Sequence, residues 1–538
     1  MPTHYIPFKD TNYFSSLICD YLDEKENLKP FYNRFPKLEN FEKQIEEKQL
    51  NYNKNNRADL VKALMLQYEG LSISSMTLTN IDLLKHGTTF TVTTGHQLNL
   101  FTGPLYFFYK IVSTINLCKE LKAAYPNFNF VPVFWMATED HDFEEINFFN
   151  FKGKKVQWNR DASGAVGELD LEGLDHVYEV FAAQLDKSEN AKSLKKLFQQ
   201  AYLEHGNLTE ATRFLVNKLF AIYGLVILDG NDPILKKMYM PYIAEELIQQ
   251  TAFENVSKTN EAINTLPSNY KIQVNPREIN LFYLNKNLRE RILETDGVFG
   301  VLDTDIRWTK DELLAEVNEH PERFSPNVIL RPMYQEIILP NLCYIGGGGE
   351  LAYWLQLKSN FEAQDVTFPI LLLRNSVLLI TERQKEKLNK LNVSVADLFL
   401  NQNDLMTKVT KSISDINIDF TPQKEHLKKQ FEDLYTLAEQ TDKSFKGAVA
   451  AQEVKQIKGI ENLEQRLLKA QKRKMEDVLE RVKILQDELF PRQSLQERHL
   501  NISEFYLEYG DGIIQHLVEN LEPLRPEFLI LDVSNQYF

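Results

Sequence analysis

Cysteine is scarce in this chain. Three occur in 538 residues, Cys19, Cys118 and Cys343, far apart and without a CxxC pair. That excludes a disulfide scaffold and a thiolate zinc finger, and it is the usage expected of a reducing, cytoplasmic setting. Long apolar runs are also lacking. No stretch reaches the roughly 18 residues a membrane span requires, so no membrane partner is expected. The opening residues, MPTHYIPFKDTNYF, show no basic segment followed by an apolar one, so no signal peptide is expected. Positive charge is in deficit: 61 basic residues stand against 76 acidic ones, a net of −15. Coating a nucleic acid needs a basic face, so none is expected as a partner, although a local basic pocket is compatible with this balance. Neither HExxH nor a GxSxG elbow is present, which leaves zincin and serine-hydrolase readings without support.

What is present is an ordinary globular composition, 43% apolar and 25% charged. The length suits roughly three to four structural units. Residues 1–85 read as mostly helical. Residues 88–94 (TTFTVTT) are β-branched and predict a strand, with Gly95, His96 and Gln97 at its end and Thr102-Gly103-Pro104 shortly after. A helical pattern runs from Leu105 to about Ala124, and residues 130–136 (FVPVFWM) predict a second strand, closely followed by Glu139-Asp140-His141-Asp142. Strand, long helix and strand make a βαβ unit of a parallel sheet. Both polar strings therefore fall at the C-terminal edge of one sheet, where open α/β sheets bind ligands.

Residues 152–325 are mixed and read as inserted segments, with strand-like stretches at 221–229 and 297–302. The pattern strengthens again from 325: a helix in VILRPMYQEIIL ended by Pro340, a short strand at 341–345, four glycines at 346–349, a helix from Glu350, and a buried-type strand at 367–373 that leaves Arg374 and Asn375 at its end. From about 421, Leu427, Phe431, Leu434 and Ala438, then Ile460, Leu463 and Leu467, then Met475, Val478, Val482, Leu485 and Leu489 form heptad-like seams with a register break near 470. They predict an antiparallel helical hairpin. Residues 528–533 (FLILDV) are expected to return as an edge strand of the main sheet.

Four ionisable groups in a row at a strand end, Glu139 to Asp142, can hold a metal, bind an amine or supply a general base; a solvated loop capping the next helix accounts for the same string. His96 can hold a phosphate, act as acid or base, or simply sit hydrogen-bonded in a loop. Gly346, Gly347 and Gly349 before Glu350 present free N–H groups as an anion cradle, though without the lysine and hydroxyl of a P-loop. Arg331 and Arg374 are candidate anion partners. Tyr353 and Trp354 pack in the core or stack on a ligand. Cys343, inside an apolar strand, reads as an inert buried thiol.

Three strings, TGHQLNLFTGPLYFFYKI, PVFWMATEDHDFEEIN, and RPMYQEIILP with GGGGELAYW, closely resemble the bacillithiol biosynthesis cysteine-adding enzymes, the BshC family, in order and over nearly the full length. The resemblance implies an α/β fold: a Rossmann-like parallel sheet core similar to class I aminoacyl-tRNA synthetases, inserted connecting segments and a C-terminal antiparallel α-helical coiled coil that forms a homodimer. It further implies a ligase that joins cysteine to glucosaminyl malate, and association with an adenine nucleotide, ATP or ADP, accompanied by magnesium. His96 stands where many relatives carry Gln, which favours hydrogen bonding or phosphate positioning over acid–base work. Gly348 replaces the proline of a GGPGE-like loop, and no counterpart of the synthetase KMSKS lysine loop is found.

On this reading the chain divides into 1–155 and 321–400 as the two parts of the core, 156–320 as inserted segments with part of the core, 401–490 as coiled coil, and 491–538 as a segment returning to the core. His96, Asp140, His141 and Asp142 are the catalytic candidates. Gly95, Gln97, Thr102, Gly103, Glu139, Arg331, Gly346, Gly347, Gly349, Glu350, Tyr353, Trp354, Arg374 and Asn375 are the candidates for binding substrate or nucleotide, and no metal ligand set is assigned. Two alternatives remain: a metal-dependent hydrolase or transferase using His96, Asp140, His141 and Asp142 as ligands, and a nucleotide-binding adaptor that recruits partners through its coiled coil.

Overall fold

A computed structural model describes residues 3–441 and 443–534. They fall into two compact units, residues 1–379 with 496–538 and residues 380–495.

The first unit is organised by a five-stranded parallel sheet. Its strands are β1 (Thr89–His96), β2 (Asn129–Met136), β3 (Val226–Asp229), β4 (Asn341–Gly346) and β5 (Ile370–Leu373), in the spatial order β5-β4-β1-β2-β3. These runs are almost continuously apolar or β-branched because both faces of the sheet are covered, and nearly every residue is buried. By chain order the sheet reads 3-2-1-4-5 from its β3 edge, so the direction of winding reverses between β1 and β4. A crevice opens at such a switch point, outside the carboxyl ends of the strands. The register sets what meets there: His96 pairs with Met136, Ile345 with Thr94, and Gly346 with Leu373.

Helix α1 (Tyr106–Ala124) makes the crossover from β1 to β2 and is buried along most of its length. Helix α2 (Pro233–Gln249) follows β3, α3 (Arg331–Ile338) precedes β4, and α4 (Gly348–Trp354) follows it. The helix expected to open at Glu350 begins two residues earlier, because the Glu350 side chain reaches back to cap it. The amino-terminal region is helical as read, with one addition, a strand at Thr3–Pro7. That strand changes the place of the carboxyl-terminal run. Glu527–Asp532 pairs antiparallel with Thr3–Pro7, Thr3 opposite Leu531, and with Val377–Ile380 makes a separate three-stranded sheet rather than an edge of the main one.

Between β3 and β4 lies a five-stranded antiparallel sheet, Arg307–Trp308, Val298–Val301, Leu288–Thr295, Leu281–Asn285 and Phe324–Pro326 in spatial order. It holds the strand-like stretch seen at 297–302, and it contributes to the site.

The second unit is helical. Its long elements are α5 (Thr421–Ala438), α6 (Lys443–Lys474) and α7 (Glu476–Leu489). Phe431, Ala438 and Val449 form the seam between α5 and α6, with Leu427 and Tyr435 packed on it. The register break falls at Met475, whose φ of −108° and ψ of 17° separate α6 from α7. No helix among the described residues is long and apolar enough to cross a membrane.

Candidate active site

At the switch point a cleft of about 410 Å³ is lined by Gly95, His96 and Gln97 from the end of β1, by Glu139 and Asp140 after β2, and by Arg331, Glu350 and Tyr353 from the α3 and α4 helices. All eight are among the candidates named from the sequence, which placed Gly95, His96, Gln97, Glu139 and Asp140 at this edge. The structure adds Tyr106 and Lys110 from α1, Trp135, Tyr344 and, from the inserted sheet, Arg289.

Lys110 is the centre of the framework. Its ammonium donates to Gly95 O at 2.5 Å and lies 2.7 Å from Glu350 Oε2. Glu350 in turn accepts from the Gly347 N–H at 2.8 Å and from the Tyr344 hydroxyl at 2.7 Å. Burial works against its negative charge, but Lys110 and these donors outweigh it and hold the carboxyl down to about 2. The glycine loop is therefore no open cradle: the carboxylate three residues on already takes the Gly347 N–H. Gly346, Gly347 and Gly349 do not line the cleft.

His96 is buried, its ring between Tyr106 and Phe107 at centroid distances of 5.3 and 5.4 Å. Burial and the nearby Lys110 push its imidazole down to about 3, so it is neutral near pH 7. Its Nε2 is buried and has no protein partner. Arg331 Nη2 is in the same condition, while Nη1 donates to Gln335 and the guanidinium lies over the Trp135 and Tyr344 rings at 5.8 and 5.6 Å. Two orphaned polar atoms on residues that line the cleft call for hydrogen-bonding partners.

The acidic string divides by burial. Glu139 is almost wholly buried and paired with the fully buried Lys236, which also donates to Phe324 O at 2.6 Å. Asp140 is reached by Gln97 Nε2 at 2.9 Å, and its other oxygen accepts from the His141 N–H at 2.8 Å. His141 and Asp142 are more exposed, and Arg289 Nη1 stands 2.5 Å from His141 Nδ1. The four residues that the metal-dependent alternative would use as ligands do not converge, and His141 Nδ1 is taken by Arg289. Among the described residues no group of three or more His, Cys, Asp or Glu could hold a metal ion.

The remaining candidates lie outside the cleft lining. Thr102 and Gly103 belong to a turn in which Phe101, Thr102 and Gly103 have φ of 47°, 69° and 62°, held by Asn501 Nδ2 on the carbonyls of Phe101 and Gly103. Trp354 is buried and stacks on Tyr344 with centroids 4.5 Å apart. Arg374 donates to the buried Glu497 at 2.8 Å. Asn375 exchanges hydrogen bonds with Ser113 and donates to Glu522 O. Cys343 is buried in β4, and burial pushes its thiol well up, as expected of an inert cysteine.

Comparison with known proteins gives the family. Residues 1–375 match the model for the N-terminal Rossmann-like domain of bacillithiol biosynthesis BshC, and residues 377–533 match that for its C-terminal coiled-coil domain. A protein of Flavobacterium johnsoniae is 58% identical over 533 residues, covering 99% of this chain and 100% of the relative. One of Christiangramia forsetii is 57% identical over 540 residues and covers both chains completely. A more distant relative, from Bacillus cereus, is 28% identical over 94% of this chain. All three carry the curated name "Putative cysteine ligase BshC". The chain belongs to the bacillithiol biosynthesis BshC family.

Proposed function

We propose that this family member is a ligase that joins the carboxyl group of cysteine to the amine of glucosaminyl malate, the last step of bacillithiol biosynthesis. The curated names of its relatives support the ligase class over the metal-dependent hydrolase and the adaptor. The observation that carries the reading is the cleft itself: His96 Nε2 and Arg331 Nη2, buried and unpartnered, share it with Asp140.

The amide forms when the amine nitrogen attacks the cysteine carboxyl carbon, losing a proton as a carboxyl oxygen departs. Asp140, oriented by Gln97, takes that proton; a positioned carboxylate base contributes typically 10²–10⁴-fold to such a step. His96, a neutral imidazole, binds by hydrogen bond rather than by charge. Arg331 supplies charge for malate or phosphate. Gly347 and Arg374 serve the framework, because Glu350 and Glu497 already engage them. An adenine nucleotide, with magnesium, would be held by the charge of Arg331 and by hydrogen bonds from His96 and Gln97, and would supply the activating group that makes a carboxylate oxygen a leaving group.

Val454 and Leu463 on α6 are 54% and 56% exposed, and they support a homodimer through the coiled coil. Light scattering should give twice the chain mass of 62.8 kDa. Three free cysteines fit the reducing conditions of a cytoplasmic setting.

The test is a mass-spectrometric end-point assay of purified protein with cysteine, glucosaminyl malate, ATP and magnesium, omitting each in turn. A condensation product that requires both substrates supports the ligase. No product from folded protein under any combination overturns it.

A further inference from the structure

Arg289 lies 148 residues from His141 in sequence, on the Leu288–Thr295 strand of the inserted sheet. Three contacts fix its guanidinium. It stacks over the Phe282 ring at 4.0 Å, its Nε is 3.4 Å from Ser325 Oγ, and its Nη1 is 2.5 Å from His141 Nδ1. Phe282 also packs against the His141 ring, with centroids 5.6 Å apart, so one aromatic side chain braces both partners.

A guanidinium has only donors and does not give up its proton in a protein. His141 Nδ1 must therefore accept, and the ring proton resides on Nε2, 3.9 Å from Asp142 Oδ1. While this bond stands, Nδ1 carries no proton. The partner of one ring nitrogen sets the role of the other.

We propose that Arg289 is a positioning residue of the inserted sheet that fixes the His141 ring with Nδ1 as acceptor and the proton on Nε2. In this role His141 is a hydrogen-bond donor in the acidic loop, and the proton-accepting work falls to Asp140. The tautomer assignment stands on geometry alone; its kinetic consequence rests on the ligase reading.

The test uses full-length protein with ¹⁵N-labelled histidine, the His141 signals being assigned through His141→Gln. In the wild type, Nδ1 should resonate as an unprotonated, hydrogen-bonded nitrogen and Nε2 as a protonated one. In Arg289→Met, Nδ1 should move to the position of a free acceptor. A protonated Nδ1 in the wild type, or an Nδ1 signal unmoved in Arg289→Met, overturns the proposal; the first reading needs no variant and so survives a variant that fails to fold. In the ligation assay Arg289→Met should lower kcat by up to about 100-fold, the order that a misplacement of about 1 Å in the loop carrying Asp140 would cost, with KM changed less than about threefold. Arg289→Lys, which keeps a donor and a charge, should recover part of the loss. An unchanged kcat in Arg289→Met overturns the positioning role. A wild type that makes no product sinks the ligase reading and leaves the spectra to decide the tautomer.

Discussion

The Lys110 ammonium lies 2.7 Å from Glu350 and ties together the ends of the two strands between which the sheet reverses its winding. Lys110 also holds Gly95 O, at the end of β1, while Glu350 caps the helix that follows β4. The pair thus fixes both walls of the crevice.

Lys110→Met leaves the Glu350 carboxylate without its cation. Breaking a buried pair on one side costs about 3–5 kcal/mol; partial exposure of Glu350 places this case toward the lower end. The folded carboxyl, at about 2, lies below its ordinary 4.5. Its contribution is therefore complete above pH 4.5 and lost as pH falls toward 2. Urea denaturation at pH 7 and at pH 3 checks this: the variant should lose less stability than the wild type between the two.

His96 has a linkage of the same sign in a higher pH window. With a folded value near 3 against an ordinary 6.5, the unfolded chain binds the proton first, so this residue lowers stability as pH drops below 6.5. The slope approaches about 1.4 kcal/mol per pH unit. His96→Gln should remove it and keep ligation within about tenfold of wild type, with no change in the pH–rate profile between 5 and 8. Denaturation midpoints at pH 5 and 7, with rates across that range, provide the check.

Gly103 is confined by its φ of +62° and by Asn99, whose Cβ would stand 2.6 Å from an added methyl. Gly103→Ala should cost at least about 2 kcal/mol, from the left-handed backbone and the clash together. At Gly349 an added Cβ meets nothing within 4 Å, so Gly349→Ala should be neutral or stabilising by up to about 1 kcal/mol. Chemical denaturation of the two variants compares them directly.

Arg374 and Glu497 form a buried pair, with Glu497 also accepting from the Val377 N–H. Arg374→Met should cost about 3–5 kcal/mol and the double variant Arg374→Met/Glu497→Gln less, since no unpaired charge is left. A double-mutant cycle in urea measures the coupling.

The sheet edge was legible because two β-branched or apolar runs flank a helix of the right length and each ends in polar residues. The pairing order was not, for it depends on which strands meet in space. Lys110, Lys236, Arg289 and Glu497 carry no local signal: each is one ordinary charge whose partner is 97 to 240 residues away. The glycine loop misled for a related reason, because the residue that fills it, Glu350, looks in sequence like the first residue of a helix. The FLILDV run was read correctly as a strand, but its partner Thr3–Pro7 is five residues long, too short to show a pattern.

Asp140 carries the central claim, and Asp140→Asn tests it most directly. The substitution keeps the size of the side chain and removes the proton acceptor. Ligation of cysteine to glucosaminyl malate, followed by mass spectrometry, should fall at least about 100-fold while circular dichroism and the thermal midpoint stay close to wild type. Undiminished turnover by the folded variant would contradict the assignment of Asp140 as the base.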